Sequence, residues 1–293
     1  MTRPAPFRIA LVGLPATGKT TYIAALWAYL RSGLSETKYR VTRVPDDTTY
    51  LNAIAKAWSE RKDMPRNSPG ATDRVEFTIE VPNRDPLTVV IPDLPGEMFL
   101  NALRRPSIDE IPAEAVTSCD LLLLFVNGKT AKTFAPLGDH EATDENETEP
   151  PQSAEDATAD NTQAPNEFAI DDLDSDTLNT ELLHRLGYLL RDHPRPATVV
   201  VVSAWDVVDG TAESPEEWLK HEQPMTWQYI DELRRTTRIG VVGISAQGAD
   251  YDDDPKVHHK TAYERSWGRD VNGNMTDIAG PLLWHDGVAQ AGS

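Results

Sequence analysis

Cysteine is almost absent from this 293-residue chain: Cys119 stands alone. One thiol makes no disulfide framework within the chain and supplies no structural zinc site, so the usage fits a reducing, cytoplasmic setting. Cys119 lies beside an apolar strand and reads as a small buried side chain. Positive charge is also scarce. Lys and Arg number 28 against 47 Asp and Glu, a formal net charge of −19. Such a chain repels nucleic-acid phosphates and anionic lipid, which argues against either as a partner. Long hydrophobic runs are missing as well. Leu121–Val126 and Val199–Val202 fall far short of the roughly 20 residues a bilayer span needs, and instead read as buried strands of a parallel sheet. The opening Met1–Phe7 is short and carries proline, and is read as no signal peptide.

What is present alternates between strand and helix patterns. Phe7–Val12 is a β-rich run ending in a glycine loop, and Lys19–Ser32 comes next with Ile23, Leu26, Trp27 and Leu30 at helical spacing. Arg40–Val44 reads as a strand or loop, and Tyr50–Arg61 as a helix through Leu51, Ile54, Ala55 and Trp58. Arg74–Val81 alternates, Asn83–Asp85 turns and Leu87–Ile91 returns, which together predict a hairpin. Asp120–Val126, Thr198–Val202 and Ile239–Ile244 are further strands, and Leu178–Arg191 and Tyr229–Arg235 are helices. Ser214 is placed to cap a helix that begins with Pro215. This order predicts a single α/β domain over residues 1–293, three-layered, with a mostly parallel sheet and one antiparallel strand. From Asp139 to Asp176 no Lys or Arg occurs, and the segment reads as an acidic disordered insertion. Residues 250–293 read as an irregular C-terminal extension, with a short final helix at Thr276–Trp284.

The motif carrying most chemistry is Gly13-Leu14-Pro15-Ala16-Thr17-Gly18-Lys19-Thr20, the pattern G-x-x-x-x-G-K-[ST] between a strand and a helix. Its glycines let the backbone curl so that N–H groups, those of Ala16, Thr17 and Gly18 among them, point at phosphate oxygens. Lys19 reaches the terminal phosphates, the Thr20 hydroxyl ligates Mg²⁺, and Thr21 comes next on the helix whose N-terminus favours an anion. The loop alone does not choose between GTPase, ATPase and kinase. Later segments favour the first. Asp93-Leu94-Pro95-Gly96 succeeds a β-run: Asp93 is placed to hold Mg²⁺ through water and the Gly96 N–H to approach a γ-phosphate. Asp206, just past a strand, can accept from both N1–H and the exocyclic amine of guanine. Ser245-Ala246-Gln247 closes the last strand, where backbone N–H groups can read the base carbonyl. All of these lie at strand carboxyl ends, where ligands of open α/β sheets bind.

On Gly13–Thr21, Asp93–Glu97, Ser203–Asp206 and Ser245–Gln247, with Leu26-Trp27 and the closing Asp277–Trp284, the chain resembles the translation-factor-related GTPases with a Ras-like core, most of all the prokaryotic double-GTPase proteins. The resemblance implies a P-loop G domain that binds GTP and GDP with Mg²⁺ and hydrolyses GTP; with neither an arginine finger nor the usual glutamine established in this sequence, turnover is expected to be slow until a protein effector, a GTPase partner or homodimerisation raises it. It implies a role in prokaryotic signalling or conflict systems. Three positions depart from the pattern. Ala204 replaces the lysine that packs on the base, with Trp205 beside it either stacking in its place or lying in the core. Glu97 stands where a water-orienting glutamine is usual, and either acts on the water or repels the phosphate. The switch threonine, a further Mg²⁺ ligand, is best placed at Thr72, with Thr48 and Thr49 as rivals. Asp63–Thr72 and Asp93–Arg105 are the expected switch segments. Arg104 and Arg105 read as surface residues, with a cis arginine finger as the alternative. His258 and His259 beside Asp252–Asp254 read as a solvated loop rather than a metal site. Two other readings stay open: a nucleotide-binding scaffold that does not hydrolyse, and a P-loop ATPase or small-molecule kinase.

Overall fold

The computed structural model describes residues 6–32, 39–62, 73–80, 85–129, 170, 173–249 and 261–286. Thr72, most of the acidic segment and the pair His258–His259 lie outside these residues.

A nine-stranded sheet forms the middle layer, in the order β2-β3-β4-β1-β5-β6-β7-β8-β9. Its centre is parallel: β1 (Phe7–Val12) pairs with β4 (Leu87–Asp93) and β5 (Leu121–Asn127), which continues to β6 (Ala197–Ser203) and β7 (Ile239–Ser245). The apolar runs of the sequence are these central strands. Helices cover both of their faces, so residues of both parities need to be apolar, and β7 is buried along its whole length. The predicted hairpin is present as β3 (Asp73–Glu80) against β4, in the register Val75↔Ile91 and Phe77↔Val89. Here the alternation of the sequence has its meaning, because Val75, Phe77 and Ile79 are buried while Arg74 and Glu80 are exposed. The short β2 (Arg40–Arg43) adds to β3 antiparallel.

On one face, α1 (Lys19–Ser32) and α2 (Thr49–Ser59) pack with the closing 3-10 helix (Gly280–Asp286) around Trp27, Trp58 and Trp284. On the other lie α3 (Gly96–Arg104), α4 (Glu110–Thr117), α5 (Ser175–Leu189), the single turn α6 (Trp205–Val208), α7 (Pro215–Glu222) and α8 (Pro224–Leu233), with Phe99, Trp205 and Trp218 at the core. The Ser214 side chain caps α7 by accepting from the Glu217 N–H, as its sequence signature predicts.

Two boundaries differ from the sequence reading. The acidic insertion was expected to run to Asp176, but Asp174 caps α5 by accepting from the Thr177 N–H, and Asp176 is buried in its first turn. The Asp176 carboxylate accepts the backbone N–H groups of Met225 and Thr226 at 2.9 and 2.8 Å, tying the start of α5 to the start of α8. The C-terminal extension is not irregular over residues 261–286. After α9 (Ala262–Arg265), β8 (Trp267–Arg269) and β9 (Met275–Thr276) extend the sheet, so β8 joins β3 in running against the parallel centre. These strands are too short for a periodic signal, and tertiary pairing decides them.

Candidate functional site

The loop between β1 and α1 has the backbone its motif demands. Ala16 and Gly18 take φ of +59° and +83°, a run no ordinary turn needs. Neighbouring strand ends hold it in place. Asn127, at the end of β5, donates its Nδ2 to the Ala16 carbonyl at 2.8 Å, and Ser203, at the end of β6, donates its hydroxyl to the Thr17 carbonyl at 2.8 Å. The Thr17 hydroxyl donates back to the Leu14 carbonyl at 2.9 Å. With carbonyls occupied from behind, the loop is free to present N–H groups on its other side.

Lys19, 6% exposed, donates its ammonium to the Gly13 and Leu14 carbonyls at 2.8 and 3.0 Å. Burial pushes its pKa down to about 8, and the charges of Asp93 and Glu97 pull part of the way back. A buried ammonium held by neutral carbonyls is a cation poised for an anion. Beside it, the Thr20 hydroxyl donates to Asp93 Oδ1 at 3.3 Å, and the Tyr50 hydroxyl on α2 donates to Asp93 Oδ2. Asp93 is 1% exposed at the end of β4. One buried carboxylate and one hydroxyl are hard oxygen donors, the set that suits Mg²⁺ when phosphates supply further ligands. Groups of three or more His, Cys, Asp or Glu that could cage a metal by themselves are absent among the described residues.

Gly96 opens α3 against the phosphate loop. A Cβ built there would lie 2.5 Å from the Pro15 nitrogen and 2.6 Å from the Leu14 carbonyl, so only glycine permits this approach. Glu97 comes next, exposed, in the first turn of α3. Arg105 faces Asp109 at 3.3 Å.

A cavity of about 340 Å³ opens from the loop toward the ends of β5, β6 and β7, and Ala16, Thr21, Asp206, Ala246 and Gln247 are among its lining residues. Asp206 stands on α6, which begins after Ala204 at φ +52°. The Ser245 hydroxyl donates to Asp206 Oδ1 at 2.5 Å and accepts the Gly248 N–H at 3.0 Å. The carboxylate is therefore held on one of its oxygens by a hydroxyl that is itself held in place. Two donors converge on the Ala246 carbonyl: the Trp58 indole N–H at 2.8 Å and the Ser266 hydroxyl at 2.9 Å. Of the two sequence readings of Trp205, the core one is right: it is 1% exposed, packed under Gly243, with its indole N–H on Asp209 at 3.0 Å.

The structure thus gathers Gly13, Ala16, Thr17, Gly18, Lys19, Thr20, Asp93 and Gly96 at one end, and Asp206, Ser245 and Ala246 at the other. Of the rival switch threonines, Thr48 accepts from Asn52 Nδ2 at 2.9 Å, and Thr49 is exposed. Sequence reasoning missed Tyr50, Trp58, Asn127 and Lys129. Asn127-Gly128-Lys129 had a signal, since it lies at a strand carboxyl end like every other motif used. Tyr50 and Trp58 had none, because each is an aromatic in a helix with an apolar face.

A sheet of this order with a phosphate loop after its first strand defines a P-loop protein of the GTPase type. The profile of the double-GTPase 1 family matches residues 10–285, and the chain belongs to that family. A GTPase family supports guanine-nucleotide binding. Among solved structures the chain is similar to the signal recognition particle receptor SRb–GTP/SRX complex from Chaetomium thermophilum, with 12% identity, 85% of this chain and 94% of that chain covered and a TM-score of 0.44. It is also similar to a variant of Aquifex aeolicus Era bound to GDP and AlF4⁻, at 15% identity, with 84% of this chain and 53% of that chain covered and a TM-score of 0.32. The elongation factor SelB from Methanococcus maripaludis with a GTP analogue gives 13% identity, 83% and 31% coverage and a TM-score of 0.32. No curated protein matches the chain.

Proposed function

We propose that the chain is a Mg²⁺-dependent GTP-binding and GTP-hydrolysing switch that regulates a partner in a prokaryotic signalling or conflict system. One observation carries the reading: a single cavity joins a phosphate loop with a buried lysine to a carboxylate fixed for a base edge, Asp206 on Ser245. Lys19 and the loop N–H groups hold the phosphates. Thr20 and Asp93 hold Mg²⁺, with Thr72 the proposed third ligand. Mg²⁺, when bound, neutralises charge developing on the phosphate oxygens. The Gly96 N–H meets the γ-phosphate, and Glu97 orients the attacking water. The segments 63–72 and 93–105 order around GTP and relax after hydrolysis. Turnover is slow in the isolated chain and rises with a protein effector, a GTPase partner or self-association. Among the described residues no helix is long and apolar enough to cross a membrane, and the proposed place of action is the cytoplasm.

Calorimetric titration with GTP, GDP and ATP in the presence of Mg²⁺, on the wild type and on Asp206→Ala, tests this. A guanine preference that Asp206→Ala abolishes supports it. ATP binding as tight as GTP would move the chain to the ATPases or kinases.

A second reading has one observation in its favour. Glu97 is close enough to act electrostatically on Lys19, so it adds negative charge beside the phosphates. On this reading the chain is a scaffold that signals by occupancy. Tight GTP binding with no phosphate release, even with its partner present, would establish it.

A further inference from the structure

We infer that Lys129 belongs to the base end of the nucleotide site and covers the face of the purine that Ala204 leaves bare. The inference rests on the proposed guanine-nucleotide reading and adds to it a residue for affinity. A purine whose edge is read by Asp206 still has two flat faces to remove from water. The two residues just before Asp206 do not supply a cover. Ala204 ends at its Cβ, in a left-handed conformation, and Trp205 turns away into the core.

The turn after β5 brings another side chain to the same cavity. Gly128 donates its N–H to the Ser203 carbonyl at 2.9 Å, so the chain stays on the end of β6 for one residue beyond the strand. A Cβ at Gly128 would lie 3.0 Å from that carbonyl oxygen and 3.3 Å from Val208, a space that glycine leaves open. The Asn127 carboxamide then anchors Lys129. Its oxygen accepts the Lys129 N–H at 2.9 Å while its nitrogen holds the Ala16 carbonyl of the phosphate loop. Lys129 is thereby referenced to the phosphate loop and lines the same cavity as Ala204 and Asp206. It is the one basic side chain among the described residues lining that cavity, in a chain of net charge −19.

The chemistry suits a face rather than an edge. A four-carbon stem packs on an aromatic plane, and an ammonium over that plane gains from the ring's negative face. Such contact raises affinity for any purine and reads no exocyclic group. Asp206, by contrast, reads the edge. The two roles therefore separate experimentally.

The experiment uses the full chain with Mg²⁺ and calorimetry with GDP, IDP and ADP as probes, on wild type, Lys129→Ala, Lys129→Met and Asp206→Ala. IDP lacks the exocyclic amine and keeps the ring. Lys129 is exposed, so thermal unfolding of its variants should match the wild type. Lys129→Ala should weaken GDP and IDP equally, by about tenfold, and leave their ratio unchanged. Lys129→Met, which keeps most of the stem, should lose about half that effect on the logarithmic scale. Asp206→Ala should collapse the ratio. Lys129→Ala affinities within twofold of wild type for both nucleotides would overturn the inference. If wild type binds ADP as well as GDP, the guanine reading fails, and a loss of GDP and ADP together in Lys129→Ala would still support Lys129 on the base face.

Discussion

The Tyr50 hydroxyl and the Thr20 hydroxyl donate to opposite oxygens of one buried carboxylate, that of Asp93. Tyr50 lies in the first turn of α2, and eight residues on, Trp58 near the end of the same helix donates to the Ala246 carbonyl at 2.8 Å. This single helix therefore touches the proposed Mg²⁺ end and the proposed base end of the site. Tyr50→Phe deletes one donor and keeps the ring. A hydrogen bond to a charged group contributes about 1.5–3 kcal/mol, and Tyr50 is only partly buried, so the nucleotide-free protein should lose about 1–2 kcal/mol. With Mg²⁺ and GDP bound, the carboxylate has another positive partner and the loss should shrink. Urea unfolding with and without Mg²⁺–GDP reads both numbers. An equal loss in the two states would make Tyr50 a structural residue only.

The close approach of Gly96 to Pro15 and Leu14 gives a second expectation. The atoms a new Cβ would strike are backbone, on a loop already held from behind by Asn127 and Ser203. Neither side can yield without loss. Gly96→Ala should destabilise by about 1–3 kcal/mol, the range for overpacked sites, and should weaken nucleotide binding as well. Chemical denaturation and a fluorescent-GDP titration check the two effects. Wild-type affinity in a destabilised variant would show that the phosphate loop absorbs the strain without changing its shape.

The sequence showed the fold wherever local chemistry and tertiary environment asked for the same residues. Leu121–Val126 must be apolar on both sides because helices cover both, and a run of six apolar residues says so. Gly18 and Lys19 are legible because a phosphate leaves few other choices. Asp176 was illegible. It ends a long acidic stretch, and nothing local marks it as the acceptor for the N–H groups of Met225 and Thr226. Trp267–Arg269 was illegible for a related reason: its pairing with β7 lies across the sheet, not along the chain. At the site, motif residues were readable and most of their supports were not. Asn127 had the signal of its place at a strand carboxyl end, but Tyr50 and Trp58 act by reaching residues far away in sequence, and a sequence pattern holds no record of such partners.

Cys119 allows a pH expectation. Its thiol is partly buried against the second core and donates to the Val116 carbonyl at 3.2 Å, and burial pushes its pKa up to about 12. At pH 8 the thiolate fraction of the native protein is then of order 10⁻⁴, and thiolate is the reactive form. Maleimide labelling of native protein at pH 8 should be slow and should become fast in urea. The sign for stability comes from proton binding. Between about 9, the ordinary value, and about 12 the folded state holds the proton that the unfolded state has lost. This contribution is whole below pH 9 and fades as pH rises toward 12. Rapid labelling of the folded protein at pH 8 would contradict the burial of the thiol.

Ser245 and Asp206 test whether the base end is aimed in advance. The hydroxyl holds one carboxylate oxygen at 2.5 Å and is itself held by the Gly248 N–H. A guanine edge offers two donors in fixed geometry, so a carboxylate free to turn meets them both only part of the time. Ser245→Ala removes the hold without touching the charge. GDP affinity should fall by about 5- to 30-fold, equivalent to about 1–2 kcal/mol, between the worth of an ordinary hydrogen bond and that of one to a charged group, since only the aim of the carboxylate is lost and not its charge. The preference for GDP over IDP should narrow along with it, because the second donor is the one a misaligned carboxylate loses first. Threonine at the same position keeps the hydroxyl and should restore most of the affinity. Calorimetry on Ser245→Ala and Ser245→Thr with both nucleotides measures this. If Ser245→Ala binds GDP like wild type, Asp206 finds its orientation from the nucleotide, and the hydrogen bond from Ser245 does no more than steady the loop after β7.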